Sequence, residues 1–483
     1  MARRLRESYP DFTAEKEAIR QNGVTPELVS CIIRKHRGNS RYNRKLRLRY
    51  SAYQEGVPIF GRVPRFHNND AQLNNQLNND FFSEIVNVKT GYFAGKPIAY
   101  SYSKTAESKT ATGNEADVEI CSKALTDFVT RANLYDVDMQ CVKYAAICGY
   151  GARLFYIDEN GLENGMSILP EQAAILPKSN EITKPAYGVY YYTIKDIQNR
   201  TVYRAEFYDE TFVYYFEGSS FDQLRETGRE AHLFRGCPLQ GIPNNDDLIG
   251  DAEKVLSLID AYDRFLSDCS NEMENFANSY MVFENVNILP EQILEAQKSG
   301  SIQFFSGGVN GKVYYLTKDF NGTWQENYAK RLETNIRYAS GTPNMGDESF
   351  GAASGVSLKY KLIPLETKCG MLQAKMQTAG MYMFQLLASS WQQRGIPCQP
   401  DQCVMECKRN FPLDALSEAQ AAQAMIASGL PKQVAYSNAY SFVDDVEYVM
   451  DLIAEEDGTT ATLYLPEQNQ SSDNAGSSDA AEG

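Results

Sequence analysis

The chain has 483 residues and a net charge of −15, long enough for two or more cores and too acidic to coat nucleic acid with its whole surface. Hydrophobic residues make up 43% and charged residues 23%, as in globular proteins. No run approaches the ~18 apolar residues of a membrane span, and the N-terminal MARRLRESYPDFTAEK has no apolar signal core, so the ten Cys are expected to be free, reduced thiols in a cytoplasmic setting.

Residues 1–50 carry 13 Lys/Arg against 5 Asp/Glu, a local +8 that leaves −23 elsewhere. Most of it lies between Arg34 and Arg49. Such a basic arm, placed at 1–59, either contacts nucleic acid or an acidic partner, or is a solvated helix face beside an acidic body. The segment reads as helical, with Thr25-Pro26 as a helix start. An Asn-rich tract at 68–79 reads as an extended loop or helix entry, and apolar periodicity resumes from Phe82 to Phe93. Residues 101–118 are polar and read as a loop.

Helical spacing returns over 118–133 and 135–148, and Gly149-Tyr150-Gly151 ends it. The period then becomes that of strands. ARLFYID, GVYYYTI, TVYRAEFYD and TFVYYFEG predict a sheet region over 152–240, giving an α+β body. The 31 Tyr fit either strand packing or surfaces buried between chains.

Residues 251–278 form the longest helical pattern. An apolar stripe from Val255 to Phe276 runs at three- and four-residue steps, while the other face carries seven acids against Lys254 and Arg264. One such helix cannot bury its stripe without neighbours. A compact α/β insertion follows: a strand YMVFEN, a short helix opened by Pro290, and strands SIQFF and KVYYL around Gly307-Gly308. A second helix over 323–340, a Gly-rich loop over 341–355 and a long helix over 356–394 complete a pair of rods joined by a soft turn. Pro364 predicts a kink near Tyr360. Residues 411–456 read as helical, and the tail from Gln468 as disordered.

No catalytic constellation stands out. SGGVNGKV at 306–313 lacks the first Gly and the final Ser/Thr of a phosphate loop. There is no zinc-protease helix, Gly-x-Ser-x-Gly elbow or dinucleotide fingerprint. Cys398, Cys403 and Cys407 cluster, but no Cys-x-x-Cys pair accompanies them and His36, His67 and His232 lie far off, so no metal site or cofactor is assigned.

Five pieces, in order, resemble the portal proteins of tailed bacteriophages with long non-contractile tails. Gly91-Tyr92-Phe93-Ala94-Gly95-Lys96-Pro97-Ile98 is similar to the family's GYxxGxP signature. Residues 256–283 resemble its stem helix, and KVYYLTKD at 312–319 the strand leaving its clip. Ser354-Gly355-Val356-Ser357-Leu358-Lys359-Tyr360-Lys361 resembles its SGxALK helix opening, with Ser357 where Ala is usual. FVDDVEYVMDLIAEE at 442–456 resembles the acidic end of its crown. The first ~60 residues and the tail fall outside the resemblance.

The resemblance implies a portal fold in a ring, commonly of twelve subunits, at one capsid vertex of the virion, assembled in the host cytoplasm. Double-stranded DNA would pass through it without sequence specificity. Partners implied are the terminase, head-completion or adaptor proteins, and the major capsid and scaffolding proteins, with no membrane. The implied layout is an α/β wing at 60–250, a stem at 251–278 and 323–340, and a small α/β clip at 279–322. A tunnel loop follows at 341–355, then a long kinked helix at 356–394, a helical crown at 395–457 and a disordered tail at 458–483. Loop residues Asn344, Met345, Asp347, Glu348 and Phe350 would face DNA. Lys359 and Lys361 would contact phosphate or pair with acids of a neighbouring subunit. Asp260, Asp263 and Glu272 would line the channel or face outside solvent. The implied role is not enzymatic; the alternative is a metal-dependent nucleic-acid enzyme of the packaging apparatus.

Overall fold

The computed structural model describes residues 9–63, 74–102, 115–179, 181–277, 280–284, 311–316, 322–346, 355–410 and 415–439, with isolated positions at 291, 449–450 and 452–454. Several expectations lie outside these residues: the strand SIQFF, the turn at Gly307-Gly308, loop residues Asp347, Glu348, Phe350 and Ser354, most of the acidic segment 442–456, and the tail. The chain divides into two units, 1–410 and 411–483.

The first unit opens with helices α1 (Thr13–Asn22) and α2 (Pro26–Tyr50). Thr25 caps α2 as its sequence predicts: its hydroxyl accepts from the Leu28 N–H at 3.3 Å, and Pro26 takes the first helical position. Of the two readings of the basic segment, the packing is nearer to a helix face set beside an acidic body. Val29, Ile32 and Ile33 of α2 are buried with Phe12 against the body. The cations are largely matched to acids, with Lys35 at 3.0 Å from Glu15, Arg47 at 2.8 Å from Glu171 and Arg49 at 2.6 Å from Asp260. Six of the ten described Lys and Arg of this segment lie within 4.0 Å of a carboxylate, so much of the basic run is a face that docks an acidic body.

Helices α3 (Phe81–Ala94), α4 (Glu115–Arg131) and α5 (Leu134–Cys148) flank a short strand β1 (Ala99–Tyr102). Gly149 ends α5 in the left-handed region at φ +89°, where an added Cβ would meet the Leu248 carbonyl oxygen at 1.7 Å. Only glycine fits there. The strand region is two antiparallel sheets. Strands β2 (Tyr150–Ile157), β3 (Glu163–Ile168) and β9 (Leu239–Pro243) form one, in the order β3-β2-β9. Strands β4 (Ala173–Pro177), β5 (Pro185–Lys195), β6 (Thr201–Tyr208), β7 (Phe212–Gly218) and β8 (Leu224–Ala231) form a sequential meander. Alternation along the meander sends Val189, Tyr191, Phe207 and Phe216 toward α1 and α2, and Tyr208 and Val213 toward the three-stranded sheet. A third apolar cluster joins Leu46, Phe82, Ile85 and Ile147 to Val255 and Ile259, fixing the long helix to the body.

That long helix is α6 (Leu256–Ala277), preceded by a short 3-10 turn over Glu253–Val255. Strands β10 (Tyr280–Glu284) and β11 (Lys312–Leu316) pair antiparallel, so KVYYL pairs with YMVFE. Helices α7 (Gly322–Ser340) and α8 (Gly355–Gln393) follow, and α8 runs through Pro364 as one helix. Strand β12 (Cys403–Glu406) pairs with β1, with Tyr100 opposite Met405. Residues 395–410, expected with the crown, thus belong to the first unit. The second unit contains α9 (Ala415–Ala427) and α10 (Lys432–Ala439).

Candidate functional site

Helices α6 and α7 pack on each other, and their contact is aromatic. Phe265 lies 4.9 Å from Tyr328 between ring centroids in an edge-on arrangement, and Trp324 stacks on Tyr328 at 5.5 Å. The pair is only half covered. On α7 the buried side chains are Leu332, Ile336 and Ser340, a stripe one residue wide at four-residue steps. Trp324 remains 60% exposed and Tyr338 88% exposed, while Leu258, Phe265, Leu266 and Cys269 of α6 are partly exposed.

The opposite side of α6 is occupied in a way its sequence conceals. Residues 75–79 run along the helix. Backbone N–H groups of Asn75, Leu77 and Asn79 donate to Asn271 Oδ1 (2.8 Å), Ser267 Oγ (3.0 Å) and Asp263 Oδ1 (3.0 Å). Two extended residues advance about 6.6 Å and four helical ones about 6.0 Å, so alternate strap residues meet every fourth helix residue. The Asn-rich tract is thus a strap, and its polar composition supplies the bonds.

This corrects the reading of the stem acids. Asp263 is buried and accepts both the backbone N–H and the side-chain amide of Asn79. Burial pushes its carboxyl up, offset in part by those donors. A carboxyl so enclosed does not lie on a solvent-facing surface of the chain. Asp260 is engaged by Arg49, and Glu272 is half-buried. Of the loop positions, Asn344 accepts the Gly346 N–H at 3.2 Å, and Met345 is exposed. Lys359 and Lys361 stand exposed on the first turns of α8.

The Gly91–Pro97 motif has a structural task. The Tyr92 carbonyl accepts the Asn410 N–H at 2.9 Å, and an added Cβ on Gly95 would lie 2.3 Å from Asn410 Nδ2. Arg409 binds Glu366 of α8 through two nitrogens and lies over the Phe93 ring at 5.0 Å. Glu366 also bonds Tyr92, and burial with that carboxylate pushes the phenol well up. The motif therefore clasps the chain where the first unit ends, and joins it to α8. Gly91 and Pro97 are exposed, and Gly355 is the first residue of α8.

Sequence reasoning missed a buried ionic node. Lys89 reaches Asp251 at 2.9 Å and Asn244 at 2.6 Å, and Lys368 reaches the other Asp251 oxygen at 3.1 Å. The available signal was one lysine within the apolar run of α3. Among the described residues no cluster of three or more His, Cys, Asp or Glu could hold a metal ion, and no helix is long and apolar enough to cross a membrane.

The family model for phage portal proteins of the SPP1 Gp6-like type matches residues 34–462. The match begins inside α2, so residues 1–33 and 463–483 fall outside the family pattern as expected, whereas residues 34–60, also expected outside, fall within it. The portal protein of Bacillus phage SPP1 is 22% identical over 330 residues, covering 65% of this chain. The aligned region spans 62% of that relative's length. The portal protein of Clostridium phage phiCD119 is 24% identical over 333 residues, covering 63% of this chain and 69% of the relative. With nearly its whole length under the family model, the chain belongs to the SPP1 Gp6-like phage portal proteins.

Proposed function

We propose that copies of this chain close into a ring at a capsid vertex and that double-stranded DNA passes through its centre during packaging and ejection. The observation that carries this reading is the half-covered α6–α7 pair. Among the described residues Trp324 stays 60% exposed, and Phe265, Leu266 and Cys269 of α6 are only partly covered; a head-to-tail neighbour would supply the remaining cover. Family membership supports the portal role, and no comparison supports a metal-dependent enzyme.

In this reading α6 and α7 form the stem wall, and the β10–β11 end receives the terminase and later the head-completion proteins. The segment TPNMGDESFGAASG (342–355) carries no Lys or Arg, so it restrains DNA by steric contact, with Met345 as an exposed apolar group. Lys359 and Lys361 provide the nearby positive charge.

Electron microscopy of the purified protein tests the ring. Annular particles with a central hole are expected, and compact monomers overturn the reading. Deleting 344–352 should leave rings intact while impairing packaging or DNA retention; normal packaging by that variant removes the loop's role. Neutralising Lys359 and Lys361 together should shorten packaged DNA while rings remain stable, whereas loss of ring stability first would mark them as subunit-pairing residues.

A further inference from the structure

Asp251 sits at a node reached by five helices, α7 among them through Lys368. It stands just ahead of α6, and its backbone N–H donates to the Ala146 carbonyl of α5 at 2.8 Å. One carboxylate oxygen takes Lys89 of α3 and the Asn244 amide at 3.2 Å; the other takes Lys368 of α8. Lys368 also donates to the carbonyl of Ser340, the last residue of α7, where helix carbonyls lack partners and favour a cation. The two lysines hold the Asp251 carboxyl below its usual range despite burial.

The lysines are not equivalent. The Lys89 side chain is 3% exposed and that of Lys368 is 25% exposed. One carboxylate balances one ammonium, so the node carries one surplus positive charge. Lys368 can take that charge to water and leave a neutral Lys89–Asp251 pair; Lys89 has no such route, and stranding it would be costly.

A backbone hydrogen bond is missing at the same place. Pro364, one turn before Lys368, has no N–H to give the Tyr360 carbonyl, so the α8 hydrogen-bond ladder is one bond short there. Gly341 ends α7 at φ +63°, with the Thr342 N–H donating back to the Arg337 carbonyl at 3.0 Å. A Cβ on Gly341 would lie 3.4 Å from Pro364 and 3.5 Å from Lys368 Cε. The helix end, the proline and the partly exposed lysine share one seam.

We infer that Lys368 is a detachable latch: engaged, it binds α8 to the end of α7 and the base of α6; released, it parts α7 from α8 at Pro364 while Lys89–Asp251 keeps the body folded. Hydrogen exchange on the purified full chain tests this without needing a ring or DNA, so its outcome is separate from that of the proposed function. Lys368→Gln should speed amide exchange across the end of α7 and the first turns of α8 by about tenfold, with an unfolding midpoint close to that of the unaltered protein. Lys368→Arg should restore slow exchange, and Lys89→Met should lower the midpoint far more. Exchange within about twofold of the unaltered protein, or a midpoint loss as large as that of Lys89→Met, overturns the latch.

Discussion

His36 is enclosed between two phenols, with Nδ1 2.8 Å from the Tyr191 hydroxyl and Nε2 3.2 Å from that of Tyr150. The Tyr150 proton is committed to the Pro170 carbonyl at 2.7 Å, so Nε2 carries the imidazole hydrogen and Nδ1 accepts from Tyr191. Burial pushes its pKa down from 6.5 to about 3. The unfolded chain therefore takes up a proton that the folded chain refuses. Stability falls as pH drops from 6.5 toward about 3, by up to about 1.4 kcal/mol per pH unit from this group. Denaturant midpoints measured over that range should decline less steeply for His36→Gln, and parallel profiles would contradict the assignment. Gly95→Ala should cost roughly 1–3 kcal/mol, because the added methyl meets the Asn410 side chain and the Gly91 carbonyl. Thermal unfolding checks the loss, and proteolysis beside residue 410 should accelerate.

Among the elements, the strap along α6 depends on side chains that a hydrophobicity scan counts as solvent-facing. Asn79→Ala removes one donor to Asp263 and leaves that buried carboxylate short of a partner, for a loss of about 1–3 kcal/mol. A Ser267→Ala change should cost less, since Leu77 loses only a neutral acceptor. Equal losses in chemical denaturation would show that Asp263 is not the anchor. Local signals made several elements legible. Thr25-Pro26 states a helix start by itself, Gly149 a helix stop, and the Tyr- and Val-rich runs a strand period. The pairing of β12 with β1 spans about 300 residues of chain, and no local pattern encodes it. Asp260 and Asp263 looked like free acids because their partners, Arg49 and Asn79, lie about 200 positions away. The ionic node was hidden for the same reason.

At the scale of the whole molecule, the family was readable from short pieces taken together in their order along the chain, whereas their tasks were not. Gly91–Pro97 clasps the chain to α8, a role set by Arg409 and Asn410 at the far end of the unit. The half-covered α6–α7 pair carries the assembly prediction. Phe265→Asp should leave the fold of the body intact, since its core lies in the sheets and in α3 and α5. It should also convert rings to free subunits in sedimentation analysis. Rings that persist would place the subunit contact elsewhere.

The strap sets a limit on how this chain can change in length. Its three backbone contacts use alternate residues on one side and every fourth on the other. One residue inserted between Asn75 and Asn79 would turn part of the strap over and aim its N–H groups away from the helix. Two inserted residues would shift the contacts by a whole repeat, as would four added to α6. Viable relatives should therefore differ here by twos opposite fours, and single-residue gaps should fall outside 75–79.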